Sequence, residues 1–199
     1  MSTPRWFTET KPGHSRWYVE HFRRLDAEGS DLGGEARLID AMAPPRSRIL
    51  DAGCGPGRTG AVLHERGHHV VGVDADAELI EAARMDHPGP RWIVADLAEL
   101  DLAALGEPES FDAAVMAGNV ITYVAPDTEI QVLDRVRRHL KPDAFLVVGF
   151  HTERYDITAF DRHARDAGFD IEHRFRTWDL RPWRPDADFA VTVLRNPPA

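Results

Sequence analysis

A loop rich in glycine follows the first strongly apolar stretch of the chain, RILDA. Glycine adopts positive φ without strain and lets the backbone approach a ligand closely. The first amide groups of a helix that begins after such a loop point at the same ligand. We therefore expect a nucleotide-like or anionic ligand at this loop. Its acidic residue and its glycines are Asp51, Gly53, Gly55, Gly57 and Gly60.

Polar residues also end three later apolar stretches of the chain. Asp74 closes VVGVD, Asp96 follows WIVA, and Asn119 follows FDAAVMAG. An isolated Asp at such a position is more often a turn former or a helix cap than a ligand-binding residue. Several such residues beside a glycine loop favour ligand binding instead, because the carboxyl ends of parallel strands meet at one crevice. An acidic crevice suits a cationic ligand better than a pyrophosphate.

The elements that position these residues alternate regularly along the middle of the chain. The apolar strands lack a clean alternation with polar residues, which is typical of a parallel sheet covered by helices on both faces. Strands are predicted over residues 48–51, 69–74, 91–95, 111–117 and 144–150. Helices are predicted over residues 57–66, 76–86, 127–140 and 156–167.

The two ends of the chain depart from this alternation. Residues 1–45 predict a helical lid, in which a loose arm of about a dozen residues precedes two amphipathic helices, from Ser15 to near Gly29 and over about 32–42. Near the C-terminus, apolar and polar residues alternate over residues 169–180 and 188–195, which predicts a β-hairpin.

The predicted architecture is a single α/β domain over residues 1–199, a three-layer Rossmann-like sandwich. Residues 46–199 would form a cofactor-binding core around a mostly parallel seven-stranded sheet. The C-terminal hairpin would give that sheet an antiparallel strand at its end.

Two interpretations of the glycine loop compete. Gly55-Pro-Gly57-Arg-Thr-Gly60 has the letters of the dinucleotide fingerprint G-x-G-x-x-G. Its first glycine comes late after the strand, and a frame that starts at Gly53 places Arg58 where the third glycine belongs. The spacing from the loop to Asp74 suits a dinucleotide ribose as well as another nucleoside, so spacing alone leaves both open.

The frame Asp51-x-Gly53-x-Gly55-x-Gly57 resembles motif I of the class I S-adenosylmethionine-dependent methyltransferases. The resemblance extends over residues 47–151, and it implies S-adenosylmethionine as the cofactor. It implies that the loop wraps the methionine and ribose, that Asp74 accepts from the ribose hydroxyls, and that Asp96 lies at the adenine edge. The cofactor-binding residues that it implies are Asp51, Gly53, Gly55, Gly57, Asp74, Ala75, Asp96, Leu97 and Ala117.

The string MAGNVITYV resembles motif IV of the same family, which borders the transferable methyl group. Methyl transfer is an in-line displacement that needs an aligned lone pair, and a general base matters only for an acceptor that is protonated at neutral pH. His151 is the first candidate for that base, because histidine titrates near neutrality. Asn119 and Tyr123 are the other catalytic candidates. Tyr18 of the lid is expected to close over the cofactor.

Charge and composition exclude several classes of function. The 199 residues carry 24 Lys and Arg against 33 Asp and Glu, a net charge of −9, which leaves no basic footprint for nucleic acid. No apolar run reaches membrane-spanning length. The single cysteine, Cys54, and the polar N-terminus predict a cytoplasmic protein.

A metal site is not expected, although His64-Glu65-Arg66-Gly67-His68 has the letters of H-E-x-x-H. Gly67 is expected to end the helix, so the two histidines would not share one helical face. The predicted partner is a small-molecule methyl acceptor, and the protein is predicted to be a monomer or a homodimer. The alternatives are a noncatalytic S-adenosylmethionine-binding protein and, less favoured, an NAD-dependent oxidoreductase, for which no Tyr-x-x-x-Lys string is present.

Overall fold

One seven-stranded sheet organises the protein, whose computed structural model describes residues 3–198. The sheet order is β3-β2-β1-β4-β5-β7-β6. Its strands are β1 (Arg48–Ala52), β2 (His69–Asp74), β3 (Arg91–Val94), β4 (Phe111–Met116), β5 (Leu140–His151), β6 (Asp170–Phe175) and β7 (Phe189–Arg195). The pairs from β3 to β5 are parallel, whereas β7 runs antiparallel to both β5 and β6. The predicted Rossmann-like fold with a mostly parallel seven-stranded sheet is confirmed, with one refinement: β7 lies one strand in from the edge, which β6 forms.

Helices cover both faces of this sheet and its carboxyl end. They are α1 (Arg5–Glu9), α2 (His14–Ala27), α3 (Gly34–Met42), α4 (Arg58–Glu65), α5 (Ala77–Asp86), α6 (Val120–Tyr123), α7 (Glu129–Arg138) and α8 (Ile157–Asp166). A 3₁₀ turn over Leu97–Glu99 follows β3. Within residues 3–198, no helix combines the length and apolar character that crossing a bilayer requires.

Two apolar cores lie on opposite faces of the sheet because successive side chains of a strand point to opposite sides. Leu50 belongs to the core under α7 and α8, and its neighbour Ile49 belongs to the core under α3 and α4. Both side chains are fully buried. Burying each stabilises the fold by roughly 1.5–3 kcal/mol, so the two cores fix the strand ends on which the polar residues are placed.

Three glycines make room for the indole ring of Trp92, a feature that sequence reasoning missed. A Cβ atom built on Gly72 would lie 2.3 Å from the Trp92 ring, and one built on Gly60 or Gly57 would lie 2.8 or 2.9 Å from it. The indole is buried, and its Nε1–H donates to the carbonyl of His87 at 2.7 Å. Gly57 and Gly60 therefore serve packing beneath the loop, because any side chain there would displace the indole.

The structure corrects two local predictions. Residues 5–9 of the supposed loose arm form α1, because Arg5 and Trp6 find partners across the carboxyl end of the sheet. The strand predicted over residues 169–180 ends at Phe175, because the chain then turns and places Trp178 against Gly149, where a built Cβ would lie 2.3 Å from the indole. The first two residues of the arm lie outside the described residues.

Residues 64–68, which have the letters of H-E-x-x-H, do not lie on a single helix. α4 ends at Glu65, and Gly67 adopts a left-handed φ of +92°. His68 is buried, and its Nε2 lies 3.1 Å from Asp40 Oδ1. Its ring therefore packs beside α3 and away from the face of α4 that carries His64.

Candidate functional site

A cleft of about 880 Å³, including the part open to solvent, lies beyond the carboxyl ends of β1, β2, β3 and β4. In a mostly parallel sheet this is where ligands bind, since the strand order reverses between β1 and β4. The N-terminal helices α1 and α2 cover it with aromatic side chains. Of the residues predicted to bind the cofactor, those that line the cleft are Tyr18, Asp51, Gly53, Gly55, Asp74, Ala75, Asp96, Leu97 and Ala117.

Asp51 places a carboxylate at the floor of the cleft. The residue is 1% exposed, and its Oδ2 has no hydrogen-bond partner among the described residues. Burial raises the pKa of Asp51 to about 7, although the Gly60 N–H and the Arg58 guanidinium act in the opposite direction. A buried carboxylate oxygen without a partner is costly, and a cationic ligand group would satisfy it.

Asp74 ends β2 and holds the glycine loop. Its Oδ2 accepts from the Gly55 N–H at 2.9 Å, and its Oδ1 accepts from the Asp76 N–H at 2.9 Å. Burial raises the pKa of Asp74 to about 6. Each carboxylate oxygen has a second lone pair, so Asp74 can still accept from two neighbouring hydroxyls.

Asp96 combines a capping role with its place in the cleft. Its Oδ1 accepts from the Ala98 N–H at 2.9 Å and so caps the 3₁₀ turn that follows β3. Leu97 is buried and presents an apolar surface beside it. A flat apolar ring with polar edges fits such a pair.

The loop glycines divide into two kinds. Gly53, Gly55 and Gly57 all have positive φ, at +79°, +54° and +85°. Gly53 and Gly55 line the cleft, whereas Gly57 faces Trp92 and is the N-cap residue of α4. The cofactor contact predicted for Gly57 stays a prediction, and what the structure gives it is a role in packing and in the turn.

An aromatic wall faces the glycine loop across the cleft. Trp6 makes edge-to-face contacts with Tyr18 and Tyr123, at centroid distances of 5.6 and 5.5 Å, and Tyr18 meets Phe22 in the same way at 4.9 Å. This is the preferred arrangement of aromatic pairs. Sequence reasoning missed Trp6 and Phe22, since Trp6 lies in the supposed loose arm and Phe22 at an ordinary core spacing.

Tyr18 spans the cleft from the glycine loop to the end of β4. Its Cε1 lies 3.7 Å from a Cβ built on Gly55, and its hydroxyl lies 3.7 Å from one built on Gly118. Burial raises the pKa of Tyr18, so its phenol is neutral at physiological pH. A neutral phenol donates a hydrogen bond and is a poor base.

Arg58 supplies the positive charge of the cleft, another residue that sequence reasoning left without a role. Its guanidinium pairs with Glu35 at 2.7 Å and lies 5.2 Å from the ring centre of Phe22. These contacts connect α4 to α3 and to α2.

The three catalytic candidates occupy different positions. Tyr123 lines the cleft, with the Arg154 guanidinium 4.5 Å from its ring centre. Asn119 has a φ of +67°, and its Oδ1 accepts from the His151 N–H at 2.7 Å, which joins the ends of β4 and β5. The His151 ring contacts Phe189, and its Nδ1 lies 3.3 Å from the Asp188 carbonyl. Neither Asn119 nor His151 is among the residues that line the cleft, so their catalytic roles stay predictions.

Comparisons with known proteins identify the class of protein that this fold and site define. A family model described as a methyltransferase domain matches residues 49–143. A TehB-like SAM-dependent methyltransferase from Corynebacterium glutamicum, known from its crystal structure, is 41% identical with a TM-score of 0.87. That alignment covers 94% of this chain and 100% of the other. The chain therefore belongs to the class I S-adenosylmethionine-dependent methyltransferases, as its motifs predicted.

Two curated relatives are both methyltransferases by name and differ in the acceptor. N-demethylindolmycin N-methyltransferase of Streptomyces griseus is 35% identical over 108 residues, which are 53% of this chain and 44% of the relative. Trans-aconitate 2-methyltransferase of Azoarcus sp. (strain BH72) is 34% identical over 120 residues, or 59% and 42% of the two chains. The chain thus spans about half the length of the curated relatives it matches. The predicted cofactor class is confirmed, and no acceptor is common to these names.

Proposed function

We propose that this protein transfers a methyl group from S-adenosylmethionine to a small-molecule acceptor within the cleft. The observation that carries the proposal is the buried carboxylate of Asp51, whose Oδ2 lacks a hydrogen-bond partner among the described residues. The amino group of the cofactor's methionine is a cation that would satisfy it. A dinucleotide brings a pyrophosphate to the equivalent loop, and its negative charge would oppose that of Asp51.

The other residues of the cleft fit the remaining parts of this cofactor. Asp74 would accept from the ribose hydroxyls, and Asp96 with Leu97 would hold the adenine. Gly53 and Gly55 expose backbone against which the ligand would lie. When bound, S-adenosylmethionine supplies a methyl group on a positively charged sulfur. The protein contributes alignment and the exclusion of water, and alignment accounts for several kcal/mol of the barrier, up to about 7–11 in well-oriented systems.

The surface facing the end of β4 suggests what kind of acceptor reacts. Within the described part of the chain, the cleft lining contains no histidine, lysine or glutamate, and its aspartates are assigned to the cofactor. Tyr18 and Tyr123 present hydroxyls and aromatic faces. We therefore propose an acceptor whose lone pair is free at neutral pH, so that no base is needed. For an acceptor that must lose a proton, His151 stays the predicted base.

Size and charge favour a small acceptor. The cleft lies beneath α1 and α2 instead of on an open face, which suits a metabolite-sized partner, and the net charge of −9 opposes nucleic acid. A monomer or homodimer in the cytoplasm stays the prediction.

Turnover tests this proposal directly. The purified protein is incubated with S-adenosylmethionine labelled in its methyl group and with a fractionated pool of small metabolites, and labelled products are separated by mass. We expect a labelled product together with S-adenosylhomocysteine in equal amount. The D51N variant serves as the matched control, since it differs by one polar atom. Cofactor binding without any labelled product from a broad pool would instead support the noncatalytic alternative.

A further inference from the structure

Asp76, two residues beyond the proposed ribose carboxylate, holds the N-terminal segment over the cleft. Its side chain is buried, with 5% of the residue exposed. Oδ1 accepts from the Glu78 N–H at 2.9 Å and caps α5. Oδ2 accepts from the indole Nε1–H of Trp6 at 2.7 Å and from the hydroxyl of Ser15. One carboxylate thus joins α5, α1 and α2.

Arg5, the residue before Trp6 in α1, is attached on the other side of the cleft. Arg5 Nη1 donates to the Val124 carbonyl at 3.2 Å and to Glu129 Oε1 at 2.9 Å, beyond the end of β4. Trp6 is held on the β2 side by Asp76. The neighbouring residues Arg5 and Trp6 therefore attach α1 to both sides of the cleft, and we name residues 4–9 the strap. A nucleoside in the cleft would lie beneath the strap.

The turn that fixes the strap also positions the cofactor carboxylate. The Asp76 N–H donates to Asp74 Oδ1 at 2.9 Å, and Ala75 between them lines the cleft. Ribose hydroxyls bound to Asp74 would restrain this turn, and the turn presents Oδ2 of Asp76 to Trp6. Binding beneath the strap and closure of the strap then stabilise each other, since energetic coupling between two sites is reciprocal.

We propose that Asp76 is a positioning residue that couples occupancy of the ribose site to closure of the strap through Trp6 and Ser15. This inference rests on the proposed function for the identity of the ligand, S-adenosylmethionine. The strap must release Trp6 for the cofactor to enter and leave. The hydrogen bonds to Asp76 therefore set the lifetime of the bound cofactor.

Three variants separate this role from simple stability. W6F keeps an aromatic ring against Tyr18 and Tyr123 but removes the N–H donor, and S15A removes the hydroxyl donor. D76N replaces one acceptor oxygen by an NH2 group, which donates and cannot accept. The matched control is D156N, because Asp156 caps α8 in the same manner, through the Ala159 N–H at 2.8 Å.

Hydrogen–deuterium exchange of peptides within residues 3–18, together with the cofactor dissociation rate by stopped-flow fluorescence, measures both halves of the coupling. We expect W6F and D76N to raise exchange in these peptides and the dissociation rate of S-adenosylmethionine by about tenfold. S15A is expected to act in the same direction. Exchange in β1 and β4 stays unchanged, and D156N behaves as the unmodified protein.

The outcomes are distinguishable. Unchanged exchange in the N-terminal peptides of W6F and S15A would overturn the inference, and these variants keep it testable if D76N does not fold. Unchanged dissociation rates with increased exchange would also overturn it, because the strap would then be structural only. If S-adenosylmethionine does not bind the unmodified protein, the proposed function fails, whereas the exchange of ligand-free W6F still tests whether Asp76 holds the strap.

Discussion

Replacing Asp51 by Asn should stabilise the ligand-free protein while it removes cofactor binding. Asp51 is 1% exposed, and its Oδ2 lacks a hydrogen-bond partner in the described structure. At a pH above the pKa of Asp51, the folded protein therefore contains an unfavourable buried charge. The amide of Asn has nearly the same shape as the carboxylate and carries no charge. A residue kept for binding at the expense of stability is expected to show these opposite effects.

The magnitude follows from the pKa of Asp51, which burial raises to about 7 from an ordinary value of 3.8. Between these values the folded state binds a proton that the unfolded chain has lost, so stability falls as pH rises from about 4 to about 7. Each pH unit corresponds to about 1.4 kcal/mol. Above pH 7 the D51N variant should therefore be more stable than the unmodified protein by about 2–4 kcal/mol, and near pH 4 the difference should vanish.

Urea unfolding at about pH 4.5, 6 and 8 measures the difference in stability between D51N and the unmodified protein. These pH values cover the range over which the charge of Asp51 is expected to matter. Calorimetric titration at pH 8 measures the loss of S-adenosylmethionine affinity, which we expect to be about 10- to 100-fold from the lost charged partner. A variant that is less stable at pH 8 without ligand, or that binds the cofactor normally, would refute the assignment of Asp51 as an unpartnered anion.

Three further predictions test the rest of the site. Asp74→Ala should weaken S-adenosylmethionine binding about 100-fold in a calorimetric titration, because the loop amide of Gly55 and the ribose would both lose their acceptor. Gly72→Ala should destabilise the fold by about 1–3 kcal/mol or more in urea unfolding, because its Cβ would lie 2.3 Å from Trp92; a double variant with Trp92→Leu should lose less than the sum of the two single changes. His151→Gln should leave kcat unchanged for an acceptor with a free lone pair, and should lower kcat about 100-fold or more for an acceptor that needs a base. Comparing the pH–rate profiles of the variant and the unmodified protein decides between these two cases.

The polar residues at strand ends could be predicted from sequence because parallel strands bring their carboxyl ends together. Asp51 and Asp74 lie at the carboxyl ends of β1 and β2, Asp96 follows β3, and all three line the same cleft. A capping role for such residues could also be predicted, and Asp96 indeed caps a turn while it faces the cleft. Short-range spacing was sufficient here because the sheet topology supplies the long-range geometry.

Contacts between distant parts of the chain could not be predicted in this way. Trp6 and Asp76 are separated by 70 residues, and no periodic pattern indicates that an indole N–H will find that carboxylate. The roles of Gly57 and Gly60 were obscured for a related reason. Both a ligand-binding loop and a loop packed over an indole require glycine, and only the position of Trp92 separates the two.

Parallel calorimetric titration with S-adenosylmethionine, S-adenosylhomocysteine and NAD at neutral pH tests most directly whether the acidic cleft is a methyl-donor site. If the cleft is such a site, S-adenosylmethionine and S-adenosylhomocysteine should bind with micromolar affinity, and NAD should show no detectable binding. Tight binding of NAD, or no binding heat with any of the three ligands, would contradict the assignment of the cleft as a methyl-donor site.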